Sequence, residues 1–220
     1  MSSLATRSST STPRLLRWSP PCLPPNKRPI WRSRDSDHRR DCGGRRIHTP
    51  PGGSTRPTAD RVREALFSAL ESQLGTLAGR RFLDLYAGSG AVGLEARSRG
   101  AAAVTLVEQH RAVAGLIRGN GRDLGLSNVT VVQDAVERWA GRASGDAAFD
   151  AVFADPPYLL AADVLVAALL SLAEHGHLAP GALLVLERSR RDPAWTWPPG
   201  FHELRARRYG ETMLWYGLGP

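Results

Sequence analysis

Between residues 81 and 108 an apolar run, Arg81 to Tyr86 (RFLDLY), enters the turn Ala87-Gly88-Ser89-Gly90. Helical spacing follows at Val92, Leu94, Glu95 and Ala96 and stops near Gly100, and a second strand-like run covers Ala103 to Glu108. Strand, glycine turn, helix and strand in this order exclude a hairpin, because the two strands are joined by a crossover, and right-handed crossovers build a parallel sheet covered on both faces. The alternation continues with a helix over Arg111 to Leu124, a strand at Val129 to Val132, a short helix after Asp134, a strand at Phe149 to Ala154, a helix over Ala161 to Glu174 and a strand at Ala182 to Glu187. An amphipathic helix precedes it, with Thr58 as N-cap and Val62, Leu66, Phe67, Leu70 and Leu74 on one face. At the other end, Phe201 to Arg208 and Thr212 to Gly217 are two strand-like runs joined by Tyr209-Gly210-Glu211, which predicts a terminal antiparallel hairpin. The expected body is a doubly wound α/β domain.

Charge separates this body from what precedes it. The chain of 220 residues carries a net charge of +8, which on its own points to nucleic acid. Residues 1–50 hold 11 of the 29 Lys and Arg but 3 of the 21 Asp and Glu, so the remainder is formally neutral. A basic Pro/Ser/Arg-rich leader over residues 1–42, expected to be disordered or not authentic, is followed by one catalytic-sized domain over 43–220. Cys22 and Cys42 both lie in that leader without metal-ligand spacing, so reduced thiols, no metal site and a cytoplasmic protein are expected. The apolar stretch Leu159 to Leu172 carries Asp163, and no run is long enough to span a membrane.

Gly88-Ser89-Gly90-Ala91-Val92-Gly93 satisfies G-x-G-x-x-G, and Glu108 stands 20 residues after Gly88 at the tip of the next strand. Glycines admit close backbone approach, a helix N-terminus offers free N–H groups, and a carboxylate at that tip suits ribose hydroxyls. Those features fit any adenosine ligand. Asp84 narrows the choice: a carboxylate four residues before Gly88 would repel a dinucleotide's pyrophosphate, whereas it favours the ammonium and sulfonium of S-adenosylmethionine, directly or through water. Asp134 is then placed for the adenine amino group and the Ala135 N–H for a ring nitrogen. The competing reading is that Asp84, Glu108 and Asp134 only cap helices or turns.

The sharpest chemical signal is Asp155-Pro156-Pro157-Tyr158, at the carboxyl end of the fourth strand of the alternation. An exocyclic amine of a nucleobase is a poor nucleophile because its lone pair is delocalised into the ring. Two acceptors, the Asp155 carboxylate and the Pro156 carbonyl, would each take one amino hydrogen and aim the lone pair, while Pro157 keeps the turn stiff. Tyr158 would stack on the base, which must leave its helix or come from a loop. A plain turn with Tyr158 in the core is the structural alternative.

With these residues in hand, the chain resembles the RsmD-like family of bacterial 16S ribosomal RNA guanine-N2 methyltransferases. The likeness runs from about Gly43 to Gly217 and is carried by Thr55 to Phe67 (TRPTADRVREALF), FLDLYAGSGAVGLEARSRGA over 82–101, Glu108, FDAVFADPPY over 149–158, and RRYGETML over 207–214. It implies a Rossmann-like class I methyltransferase with a mostly parallel seven-stranded sheet and a C-terminal antiparallel hairpin. It also implies S-adenosylmethionine as cofactor, 16S rRNA in the 30S subunit or its assembly intermediate as partner, and a monomer. Carried over by residue, the donor site is Asp84, Ala87, Gly88, Ser89, Gly90, Glu108, Asp134 and Ala135, and the amine site is Asp155 to Tyr158. Arg56, Arg61, Arg63, Arg207, Arg208 and Tyr209 are candidates for RNA contact, against the plainer reading of Arg61 and Arg63 as a solvated helix face and of Tyr209 as the end of a strand.

The departure is at the N-terminus, where relatives carry a strand resembling R-I-I-A-G. Here Asp37 to Cys42, back-translated with GC-rich codons and shifted by one base, reads Ile-Ile-Ala-Gly-Thr, so a frame error or misplaced start is expected, with an organellar transit peptide as the competitor. Intact-mass analysis of the native protein separates them. Two other functions remain open at the sequence level: methylation of another amine, such as DNA adenine N6, and RNA binding without catalysis.

Overall fold

The computed structural model describes residues 39–42, 45–49, 57–145 and 147–220. A short antiparallel pair, β1 (Arg39–Cys42) and β2 (Arg45–His48), precedes α1 (Pro57–Leu74). The alternating body follows as β3 (Arg81–Leu85), α2 (Ala91–Ser98), β4 (Ala103–Val107), α3 (Arg111–Asp123), β5 (Val129–Val132), α4 (Val136–Ala140), β6 (Phe149–Ala154), α5 (Ala162–Glu174) and β7 (Leu178–Ser189). The chain ends in β8 (His202–Tyr209) and β9 (Thr212–Leu218).

Seven strands form one sheet in the order β5-β4-β3-β6-β7-β9-β8. The first five run parallel, and β9 lies antiparallel between β7 and β8. The doubly wound fold, the seven strands and the terminal hairpin therefore stand as expected from the sequence. The hairpin does more than add two strands at an edge: its last strand is inserted beside β7, and β8 becomes the edge.

Period-two alternation within buried strands decides what each face of the sheet receives. In β3, Phe82 joins the layer of α1, α2 and α3 with Phe67, Leu70, Leu106, Ile117 and Tyr216. Leu83 and Leu85 join the opposite layer with α4, α5 and two tryptophans, Trp195 and Trp197. Each of these large apolar side chains contributes about 1.5–3 kcal/mol on leaving water. Asp84 shares the Phe82 face, which turns its carboxylate toward α2.

The β1–β2 pair was not anticipated. Its one described apolar side chain, Ile47, is fully buried among Ala91, Leu94 and Leu124. Asn120 of α3 fixes β2 by accepting from His48 N at 2.8 Å and donating to His48 O at 2.9 Å. The domain boundary expected at residue 42 falls in the turn of this pair, while the leader up to residue 38, Cys22 included, lies outside the described residues. Among the described residues no helix is long and apolar enough to cross a membrane, and no cluster of ligating side chains could hold a metal.

Candidate active site

Strand order reverses between β3 and its two neighbours, β4 and β6, and such a switch point opens a crevice at the carboxyl ends of the strands. A cavity of about 500 Å³ lies there. Gly88, Glu108 and Asp134 line it from the side of β3, β4 and β5, and Asp155, Pro156, Pro157 and Tyr158 from the side of β6. Val107, Val136, Leu160 and Val164 supply apolar wall. The size and the mixture of apolar lining with a few convergent polar groups suit a nucleoside-sized ligand. The two motifs, more than 60 residues apart in the chain, thus meet in one space.

On the first side every carboxylate already has a structural task. Gly90 caps α2 without a side-chain hydrogen bond, and Asp84, 2% exposed, supplies the missing acceptor by taking the Gly93 N–H at 2.8 Å. Burial pushes the Asp84 carboxyl well above the usual range, and Asp155 and Glu108 add to this against the Gly93 hydrogen bond. Asp84 does not line the cavity; nor do Ala87, Ser89, Gly90 or Ala135. Glu108 accepts from Gly88 N at 3.0 Å and from His110 N at 2.7 Å, so one side chain ties the glycine turn to the start of α3. Asp134 accepts from the Ala135 N–H, from Arg138 and from Arg142. The Arg138 hydrogen bond in particular holds its pKa below the usual value.

The glycines are needed for two different reasons. Gly88 and Gly90 have φ of +54° and +79°, a region that costs other residues about 1–2 kcal/mol. Gly93 is a matter of space, since a Cβ there would stand 2.6 Å from Leu106 Cδ2 and 3.0 Å from Asp84 Oδ2. Tyr86 also has positive φ, +57°. Its hydroxyl donates to Glu137 Oε1 at 2.9 Å, and burial, reinforced by Glu137, raises its pKa. Sequence reasoning missed Tyr86 and Glu137 as cavity residues because nothing in a Leu-Tyr-Ala run marks a left-handed backbone.

The second side is open. Asp155 and Pro157 are exposed, Tyr158 is 77% exposed and Leu159 98%. The turn is nonetheless held: Leu160 N donates to Pro157 O at 2.9 Å, and Arg188 donates to Leu160 O while pairing with Asp192. Ala154 of β6 is in register with Leu186 of β7, which puts Asp155 beside Glu187. Burial raises Glu187 to about 8, and the charge of Asp155 adds to this against a hydrogen bond from Thr212. Burial and the neighbouring Asp155 charge thus both favour the protonated form of Glu187. Glu187 and Arg188 were missed because their role comes from strand register.

The family described as Conserved hypothetical protein 95 matches residues 41–217. Ribosomal RNA small subunit methyltransferase D of Escherichia coli (strain K12) is 34% identical over 169 residues, 77% of this chain and 82% of that protein. The chain belongs to the RsmD family. The solved structure of Escherichia coli yhhF superposes with a TM-score of 0.68 at 32% identity, covering 80% of this chain and 92% of that one. N-methyltransferase NodS of Bradyrhizobium japonicum WM9, with a TM-score of 0.62 at 16% identity, covers 76% of this chain and 98% of its own and shares the fold. The seven-stranded class I methyltransferase architecture is therefore that of the RsmD family.

The arginine candidates within this RsmD member divide. Arg63 requires correction as an RNA contact or solvated face: it is 5% exposed, with Nε on Glu95 Oε2 at 2.7 Å and Nη2 on Asp60 Oδ1 at 3.0 Å, so it locks α1 to α2. Arg61 is exposed on α1, and Arg56 lies outside the described residues. Arg208 is exposed, but its Nε donates to Gly210 O at 3.0 Å across the β8–β9 turn. Tyr209 borders a second groove, away from the cavity.

Proposed function

We propose that this protein transfers a methyl group from S-adenosylmethionine to the exocyclic N2 of a guanine in 16S rRNA, in the 30S subunit or its assembly intermediate. The observation that carries the reading is the convergence of Gly88 and Glu108 with Asp155, Pro156 and Tyr158 on one cavity. The residues present fit the donor: Glu108 offers carboxylate oxygen at the cavity wall, and Val107 and Val136 offer apolar surface for a base. Among the described residues no lysine or arginine lines that wall, which suits a positively charged ligand better than a phosphorylated one. When bound, S-adenosylmethionine supplies a methyl carbon on a sulfonium whose C–S bond breaks to leave a neutral thioether.

The chain's own part is to aim the amine. Asp155 accepts one N2 hydrogen and the Pro156 carbonyl the other, which localises the nitrogen lone pair. Neither proline has an N–H to compete for these acceptors. As the new N–C bond forms, the amine loses one proton toward Asp155 and from there to water at the exposed rim. Tyr158 stacks on the guanine and holds its plane, and its exposure suits a base delivered by a large partner.

Labelled methyl transfer to 30S particles, naked 16S rRNA and DNA, followed by nucleoside analysis, tests the proposal. N2-methylguanosine in 16S rRNA is expected. N6-methyladenosine in DNA would overturn it in favour of a DNA amino-methyltransferase.

A further inference from the structure

A second groove, of about 310 Å³, lies between α1 and the β8 edge of the sheet, apart from the cavity. Strand alternation sends Arg205, Arg207 and Tyr209 into it from β8, and the hydroxyls of Ser68 and Ser72 face them from α1. Its floor is kept low by Ala65 and Ala69. Among the described residues no acidic side chain lines it.

Many of the described arginines are tied to carboxylates. Arg63, Arg80, Arg99, Arg138, Arg142, Arg188, Arg190 and Arg191 each pair with a carboxylate. Among the described residues neither Arg205 nor Arg207 does. Arg205 lies over the Tyr216 ring with its Cζ 4.9 Å from the centroid, and its Nε is buried without a hydrogen-bond partner. Planar donor forks beside hydroxyls match the oxygens of a phosphodiester.

Register relates the groove to the chemistry. Asp155 is level with Glu187 of β7, Glu187 pairs with Leu214 of β9, and Leu214 pairs with Arg207 of β8. Three strand spacings amount to roughly 14 Å. A chain whose target base enters the cavity therefore has backbone phosphates of neighbouring nucleotides within reach of Arg207.

We infer that the α1–β8 groove is a binding site for the phosphodiester backbone of the RNA substrate, with Arg205 and Arg207 taking phosphate oxygens and Ser68 and Ser72 donating to the same backbone. The inference rests on the RNA reading of the cavity but concerns different residues. It also gives residues 51–220, formally neutral in sum, local positive charge for a polyanion: two cations without a carboxylate partner among the described residues.

The test measures binding of the full chain to a labelled single-stranded RNA oligonucleotide of 16S sequence across a salt series, for Arg207→Gln and for Ser72→Glu. Both positions are exposed, so unchanged melting temperatures are expected. Arg207→Gln should lower the slope of log affinity against log salt by about 0.7 and the affinity about fivefold at 0.1 M salt. Ser72→Glu should weaken binding at least as much. S-adenosylmethionine binding, read by calorimetry, should not move. Parent-like RNA affinity and salt slope in both variants would overturn the inference, even with methyl transfer to 16S rRNA intact. Loss of RNA binding in the variants supports the groove even if nucleoside analysis reassigns the methylated base.

Discussion

The two walls of the cavity are built on opposite plans. On the β3–β4–β5 side, Glu108 and Asp134 in the wall and Asp84 behind it are each nine-tenths or more buried and each already accepts from protein N–H. On the β6 side, Asp155 and Tyr158 project from a stiff turn into solvent. Under the proposed function the first wall is preorganised for the small donor. The second would then be completed by the partner that brings the base. Preorganisation lowers the cost of binding a small ligand, whereas the exposed wall waits for a macromolecule that covers it.

That contrast can be broken by substitution. Asp155→Ala should lower methyl transfer by about 10²–10³-fold, as expected for loss of one preorganised transition-state partner, while S-adenosylmethionine binding survives in calorimetry. Loss of donor binding would show that the walls are not independent. Tyr158→Ala should raise KM for RNA by a factor corresponding to about 1–3 kcal/mol of stacking, with the melting temperature unchanged because the ring is exposed. Gly93→Ala acts on the other wall: the added Cβ overlaps Leu106 and crowds the Asp84 carboxylate, and about 1–3 kcal/mol of stability should be lost in urea unfolding, with weaker donor binding.

The smallest effect sharpens the comparison at its boundary. Glu187 has its folded pKa raised from 4.5 to about 8, so the unfolded chain releases this proton first and stability contributed by the site falls as pH rises from about 4.5 to about 8. Glu187→Gln should remove that decline. The variant should match the parent near pH 4 and exceed it by a margin that grows as pH rises toward 8, as followed by urea midpoints across that range.

Much of this was legible in the chain because the strands are buried on both faces and separated by helices, so both the apolar runs and the glycine turns are continuous in sequence. The meeting of Gly88 and Asp155 followed from topology alone, since both end parallel strands at the same edge. What could not be read depends on lateral neighbours. The insertion of β9 between β7 and β8, the Asp155–Glu187 juxtaposition and the Arg205–Tyr216 contact are register facts with no local signature. Arg63 shows the converse: its place in R-V-R-E suggested a wet helix face, but α2 packs on α1 there and Glu95 supplies the counter-charge.

The position of β9 also bears on how the chain is made. Its residues 212–218 are made after β7 and β8, yet they occupy an interior place in the sheet and bring Tyr216, one of the largest fully buried side chains. Until they emerge, β7 is an unpaired edge with a run of apolar residues from Ala182 to Leu186. A nascent chain stopped near residue 210 would present that edge for aggregation. The vulnerable interval in the synthesis of this fold is therefore the one between the completion of β7 and the arrival of β9.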